Sequence, residues 1–193
     1  GAFPMSIGLP GSANVISGNA GPGIHIDYSS GHFIQGNYIG TNGIGAGPIG
    51  NGDGIVVQGS TNIFIGGSYG AGNGNTISAN NNNGITIEQG CDVVDIQGNT
   101  IGMDVGGGLF LGNVLNGIKV QNSTGITIGG SAAFGNIISD HSDAGDCGIF
   151  LEGTGDADIS GNRIGTNPAA SAGFGNDIGI LITDSFIADI GGI

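Results

Sequence analysis

Apolar residues along this chain come in three short clusters that recur in a fixed order. The first is an Asn-x-Ile piece, at Asn14-Val15-Ile16, Asn37-Tyr38-Ile39, Asn75-Thr76-Ile77, Asn99-Thr100-Ile101, Asn136-Ile137-Ile138 and Asn162-Arg163-Ile164. The second is Gly-Ile-x-aliphatic, at Gly23-Ile24-His25-Ile26, Gly54-Ile55-Val56-Val57, Gly84-Ile85-Thr86-Ile87, Gly117-Ile118-Lys119-Val120, Gly148-Ile149-Phe150-Leu151 and Gly179-Ile180-Leu181-Ile182. The third closes on Ile7, Ile34, Ile65, Ile96, Ile128, Ile159 and Ile190. Within each cluster apolar and variable positions alternate, the period of a strand with one face buried.

Successive closing isoleucines lie 27, 31, 31, 32, 31 and 31 residues apart. A period of that size means stacked supersecondary units rather than hairpins, because each cluster type has only its own copies to pair with. The predicted fold is all-β, a three-sheet parallel β-helix (β-solenoid) of about six coils. Tight and insert-bearing coils alternate: from the repeat Asn to the following Gly-Ile takes 9, 17, 9, 18, 12 and 17 residues. The inserts are 41–50, 103–112 and 166–175, and the same coils carry a second insert after their third strand, as at 68–72 and 131–134. The whole chain, 1–193, reads as one solenoid domain of three two-coil units of about 62 residues, roughly 8–65, 66–128 and 129–190. Inserts on alternate coils are expected to project on the same flanks of the rod, free for lateral contact.

The head of each coil predicts a structural ladder of Asn14, Asn37, Asn75, Asn99, Asn136 and Asn162. Asn tolerates left-handed backbone, and stacked side-chain amides bond to one another while satisfying turn backbone hidden from water.

Composition excludes several alternatives. Gly numbers 45 of 193 residues, far above the ordinary share of about 7 per cent, yet no three-residue period marks a collagen. Fifteen acids face two bases, Lys119 and Arg163, for a formal charge of −13. Phosphate backbones and anionic membrane surfaces are therefore poor partners. No apolar run is long enough to span a bilayer, and no signal-peptide pattern occurs.

The phrases Asn37-Tyr38-Ile39-Gly40-Thr41, Asn162-Arg163-Ile164-Gly165-Thr166, Ile65-Gly66-Gly67, Ile128-Gly129-Gly130 and Ile190-Gly191-Gly192 resemble the right-handed parallel β-helix repeat family of the pectate-lyase-like superfamily. They look closest to repeat regions of large secreted bacterial surface proteins. The resemblance implies a secreted or cell-surface location, and a superfamily of lyases, hydrolases, epimerases, adhesins and fibres. It also implies that lyases of acidic glycans use an Arg or Lys base beside calcium, and glycosidases paired Asp residues. Neither set carries over residue by residue. Lys119 and Arg163 read as surface positions, and no adjacent Asp-Asp pair occurs, although a carboxylate pair can be assembled from different coils.

The acids concentrate in one stretch, with Asp140, Asp143 and Asp146 at three-residue spacing in the odd coil whose first turn is enlarged. Carboxylates in a loop suit calcium, which takes six to eight oxygens; the same acids also read as a solvated turn. Otherwise no cofactor is expected. Asp27, Gln58, Glu88, Gln121 and Glu152 should form an alternating acid and amide stripe after the second strand. His25, His32 and His141 sit at unrelated repeat positions, as do Cys91 and Cys147, so neither a metal cluster nor a disulfide is expected. Asn122-Ser123-Thr124 is a glycosylation sequon.

The chain opens in the last strand of an insert-bearing coil, at Met5 to Ile7, and closes in another, at Ala188 to Ile190. That phase suggests either flanking repeats of a longer chain or head-to-tail stacking of copies through unprotected end rungs. The leading expectation is a non-catalytic extracellular structural solenoid, a filament subunit or adhesin stalk, and not an enzyme. The alternative is a carbohydrate-active enzyme or glycan-binding module, whose mark would be a cleft lined by aromatic residues and converging carboxylates. With no Trp and three Tyr, the chain is poor in the aromatic residues that stack on sugars.

Overall fold

The computed structural model describes residues 4–68 and 70–191. Tyr69 of one second insert and Gly192 of the last Ile-Gly-Gly phrase lie outside the described residues. Strands β1 (Ser6–Ile7), β2 (Val15–Ile16), β3 (Ile24–Asp27), β4 (Ser30–Ile34), β5 (Tyr38–Ile39) and β6 (Ile55–Gln58) come first. Next are β7 (Thr61–Gly66), β8 (Thr76–Ile77), β9 (Ile85–Glu88), β10 (Asp92–Gln97), β11 (Thr100–Ile101) and β12 (Ile118–Gln121). The chain continues through β13 (Thr124–Gly129), β14 (Ile137–Ile138), β15 (Cys147–Glu152), β16 (Gly155–Ser160), β17 (Arg163–Ile164), β18 (Ile178–Thr183) and β19 (Phe186–Ile190).

Every third strand pairs with its own kind. One seven-stranded sheet runs β1-β4-β7-β10-β13-β16-β19, and two six-stranded sheets hold the Asn-x-Ile strands and the Gly-Ile strands. All strand pairs are parallel, as the spacing predicts. The closing isoleucines register directly, Ile7 on Ile34, Ile34 on Ile65, Ile65 on Ile96 and so on to Ile190. Beside them Ile39, Ile77, Ile101 and Ile138 form a second interior file, and Ile55, Ile85, Ile118 and Ile149 a third, all without solvent exposure. Each such side chain contributes roughly 1.5–3 kcal/mol relative to an exposed one.

Polar files occupy the three corners where the chain turns between sheets. At the first corner the side-chain oxygen of each Asn accepts both the backbone and side-chain N–H of the Asn one coil before. Asn75 donates in this way to Asn99 at 3.0 and 2.9 Å, and Asn99 to Asn136 at 3.0 and 3.0 Å. The second amide hydrogen of Asn99 reaches the Ile65 carbonyl at 2.9 Å. The same geometry links Asn14 to Asn37, Asn37 to Asn75 and Asn136 to Asn162.

A second file, not foreseen from the sequence, stands at the next corner: Asn19, Asn51, Asn80, Asn113, His141 and Asn176. Its signal was present as Gly18-Asn19, Gly50-Asn51, Gly112-Asn113 and Gly175-Asn176, which read locally as ordinary turn chemistry. The third corner is lined by Ser60, Cys91, Ser123, Thr154 and Ser185. The side-chain oxygen or sulfur of Ser60, Cys91, Ser123 and Ser185 accepts the backbone N–H of the preceding coil, as from Ser29 to Ser60 at 3.0 Å and from Cys91 to Ser123 at 3.2 Å. The Thr154 hydroxyl instead donates to the Val120 and Glu152 carbonyls. Cys91 and Cys147 are buried and free.

The first inserts follow the Asn-x-Ile strands of alternate coils. Each closes on itself through an antiparallel bridge, Thr41 with Pro48, Met103 with Phe110 and Thr166 with Gly173. At their bases they lie against the outer face of the Asn-x-Ile sheet, while Ile44, Ile49, Val105, Leu109 and Phe110 stay exposed. Met103, Ile137 and Phe174 form a small second core there, with the rings of Phe110 and Phe174 at 4.4 Å. The Val105 N–H donates to the Gly45 carbonyl at 3.0 Å, joining one insert to the next.

Candidate functional site

The outer face of the seven-stranded sheet carries two separate open depressions, one towards each end of a single file of outward residues, which together make a shallow groove face. Its floor is that file, between the two interior files. Phe33 registers on Phe64, Phe64 on Asp95, Asp95 on Thr127, Thr127 on Asp158 and Asp158 on Asp189. At about 4.8 Å per rung this floor extends about 24 Å. The outward file exists because the closing strands alternate strictly, so Phe64 and Asp95 point out wherever Ile63, Ile65, Val94 and Ile96 point in.

One end of the groove is aromatic. The Phe33 and Phe64 rings stack face to face at 4.9 Å and 11°, and the pair, partly buried, presents its ring edges to the outer face. Phe134, from a second insert, walls it, and Asp95 and Gln97 continue the floor in a cleft of about 240 Å³. The other end is acidic. Asp158 and Asp189 lie side by side on adjacent rungs with Ser131 and Ser160, in an open trough of about 600 Å³. The two ends share one face and meet through Thr127.

Glycine sets the edge of the groove at Gly66 and Gly129. Their φ angles are +90° and +95°, and a Cβ on either would come within 2.0 Å of a carbonyl oxygen on the next rung, Gln97 and Ser160 respectively. Only glycine lets the backbone turn into the second insert so close to the neighbouring coil.

No cationic side chain reaches this face. Lys119 belongs to the outer file of the Gly-Ile sheet, between Thr86 and Phe150. Arg163 belongs to the Asn-x-Ile sheet, beside Ile137. His25 also lies on the Gly-Ile sheet, bonded to Gln58 at 3.0 Å. In the acid and amide stripe there, Gln58 donates to Glu88 and Gln121 to Glu152.

The acids at 140–146 lie on another corner. The Asp140 carboxylate accepts the Gly112 N–H at 2.8 Å, and burial raises its pKa. Burial also raises that of Asp146, assisted by the negative charges of Asp143 and Asp177. Asp177 in turn accepts the Gly145 N–H at 2.8 Å. Among the described residues no group of three His, Cys, Asp or Glu side chains is placed to hold a metal ion.

Next to Asp140, His141 is fully buried in the second polar file. Asn113 donates to its Nε2 at 3.2 Å, and its Nδ1 donates to the Asn176 oxygen at 2.9 Å. This places the proton on Nδ1, and burial pushes the pKa down to about 4.

No family model matches this sequence, and no curated protein matches it either. Among solved structures the chain resembles the A-module of the mannuronan C-5 epimerase AlgE4 of Azotobacter vinelandii. That likeness has a TM-score of 0.55 at 20% identity and covers 93% of this chain and 52% of that one. The chain thus spans about half the length of the module it resembles.

The likeness corrects the expectation that the chain is not an enzyme, because an epimerase module is built on the same coils. That expectation rested on the lack of a lyase or glycosidase constellation in the linear sequence. In a solenoid a site is assembled across rungs, from residues about 31 positions apart, as Asp158 and Asp189 are; no local motif records it. Among the described residues no helix is long and apolar enough to cross a membrane. Register, three parallel sheets and the shared topology together identify the architecture as a right-handed parallel β-helix with the pectate-lyase-like fold.

Proposed function

We propose that this chain is a carbohydrate-active module whose glycan lies along the outer face of the seven-stranded sheet. The observation that carries this reading is the groove itself. It holds a stacked phenylalanine pair followed by carboxylates on one straight file. Sugar rings present apolar C–H faces that pack on aromatic rings, and hydroxyls that donate to carboxylates and amides. A floor of about 24 Å suits a chain-like ligand better than a small molecule.

Within the groove, Asp158 and Asp189 are the groups suited to acid–base work. Adjacent rungs put their backbones about 4.8 Å apart, which brings two carboxyl groups to one place on the outer face. The likeness to an epimerase module supports carbohydrate activity over a purely structural rod.

Affinity electrophoresis against a panel of soluble polysaccharides tests the reading. The chain should be retarded by at least one of them, and Phe64→Ala should weaken that retention about tenfold, the equivalent of about 1.4 kcal/mol. Retention by none of them, or retention unchanged in Phe64→Ala, would refute it.

A further inference from the structure

Resting on the glycan reading, we infer that the groove takes a glycan without carboxylates, unlike the polyuronate acted on by the epimerase module that shares the fold. The argument is electrostatic. The groove floor carries Asp95, Asp158 and Asp189 on one file, and the only two cationic side chains of the chain, Lys119 and Arg163, belong to the other two sheets. None of the three histidines offsets this. His25 is on the Gly-Ile sheet, His32 is buried in the interior file and His141 is buried in a corner file. A uronate held about 5 Å from one such carboxylate would bind about fourfold more weakly even at the dielectric of water. A chain with a carboxylate on every sugar would meet that repulsion several times along the floor.

The chemistry points the same way. Removing the proton beside a sugar carboxylate, as C-5 epimerisation and β-elimination require, builds further negative charge on that group. Such charge needs a cation or a set of donors aimed at it. The groove face has only neutral donors there, such as Ser131, Ser160 and Gln97, set beside three carboxylates and no cation, and Gln35 already donates a side-chain N–H to the Gly66 carbonyl at 2.9 Å. A neutral glycan has no such demand, and its hydroxyls are donors that carboxylates accept well.

The test uses polysaccharide pairs that differ in charge alone: polygalacturonate with its fully methyl-esterified form, and alginate with carboxyl-reduced alginate. Each is titrated into the intact chain by calorimetry at low ionic strength with chelator present. The neutral member of at least one pair should bind about tenfold or more tightly than its acid form. The triple variant Asp95→Asn, Asp158→Asn, Asp189→Asn should narrow that gap, as should added salt. An acid form that binds as tightly as its neutral partner, or more tightly, overturns this inference and leaves the glycan reading standing. Binding of neither member of any pair, with no retention on the wider panel, overturns both.

Discussion

His141 should make this fold acid-labile in a narrow and calculable window. It takes the place of an asparagine in a buried polar file, and only the neutral ring fits. Its Nε2 must accept from Asn113 while its Nδ1 donates to Asn176. A proton on Nε2 would set two donors against each other inside the solenoid. The folded chain therefore resists protonation, with the pKa lowered from 6.5 to about 4 by burial. Below 6.5 the unfolded chain binds a proton that the folded chain refuses. Stability is then complete above 6.5 and falls as the pH drops toward 4, levelling off below. At 1.36 kcal/mol per pH unit the loss is about 3 kcal/mol, or roughly 6–12 °C in Tm for a chain of this size.

The raised pKa values of Asp140 and Asp146 act with the opposite sign, since the folded state there holds its protons more tightly. The histidine term is therefore isolated by difference. His141→Asn restores the side chain used elsewhere in the file, so its melting temperature should lack the decline across that window, whatever its level at neutral pH. Melting both proteins across the window at constant ionic strength measures the term. Parallel Tm profiles for the two would refute the assignment of His141 as a neutral file member.

Two further perturbations address the backbone framework. Asn99→Ala removes an acceptor shared by two N–H groups of Asn75 and a donor to Ile65 and Asn136; it should cost about 3 kcal/mol, read by chemical or thermal unfolding, and an unchanged midpoint would show that the asparagine file contributes nothing. Val93 is a β-branched residue at φ +53°, 40% exposed on the closing strand of its coil; Val93→Asn, which relieves left-handed strain of about 1–2 kcal/mol, should raise the Tm, and a lowered Tm would mean that the valine side chain contributes more than the strain costs.

Much of this architecture was legible because a solenoid repeats its physics. The closing isoleucines recur at about one coil length, so their spacing already contained the register of the seven-stranded sheet, from Ile7 to Ile190. Phe33 and Phe64, also one coil apart, could have been placed side by side by the same arithmetic, as could Asp158 and Asp189. What hid the groove was that each of these residues is solitary in its own strand, and a solitary outward residue reads as surface. The second asparagine file was obscured because His141 and irregular insert lengths broke its spacing. The inserts are legible only in part: their glycines and prolines mark loops, whereas the packing of Met103 and Phe174 with Ile137 depends on contacts between coils. Asp140, Asp143 and Asp146 are close in sequence, and the turn directs Asp140 to Gly112 and sets Asp146 beside Asp143 and, from the next coil, Asp177.

The groove assignment is tested most directly by calorimetry of one retained neutral polysaccharide against the unaltered chain, Phe64→Ala and Phe110→Ala. Phe64 belongs to the aromatic pair and Phe110 to the insert face, where it is 61% exposed. The account predicts that affinity falls about tenfold in Phe64→Ala and is unchanged in Phe110→Ala. Loss of affinity in Phe110→Ala with Phe64→Ala unaffected would place the glycan on the opposite face and contradict it.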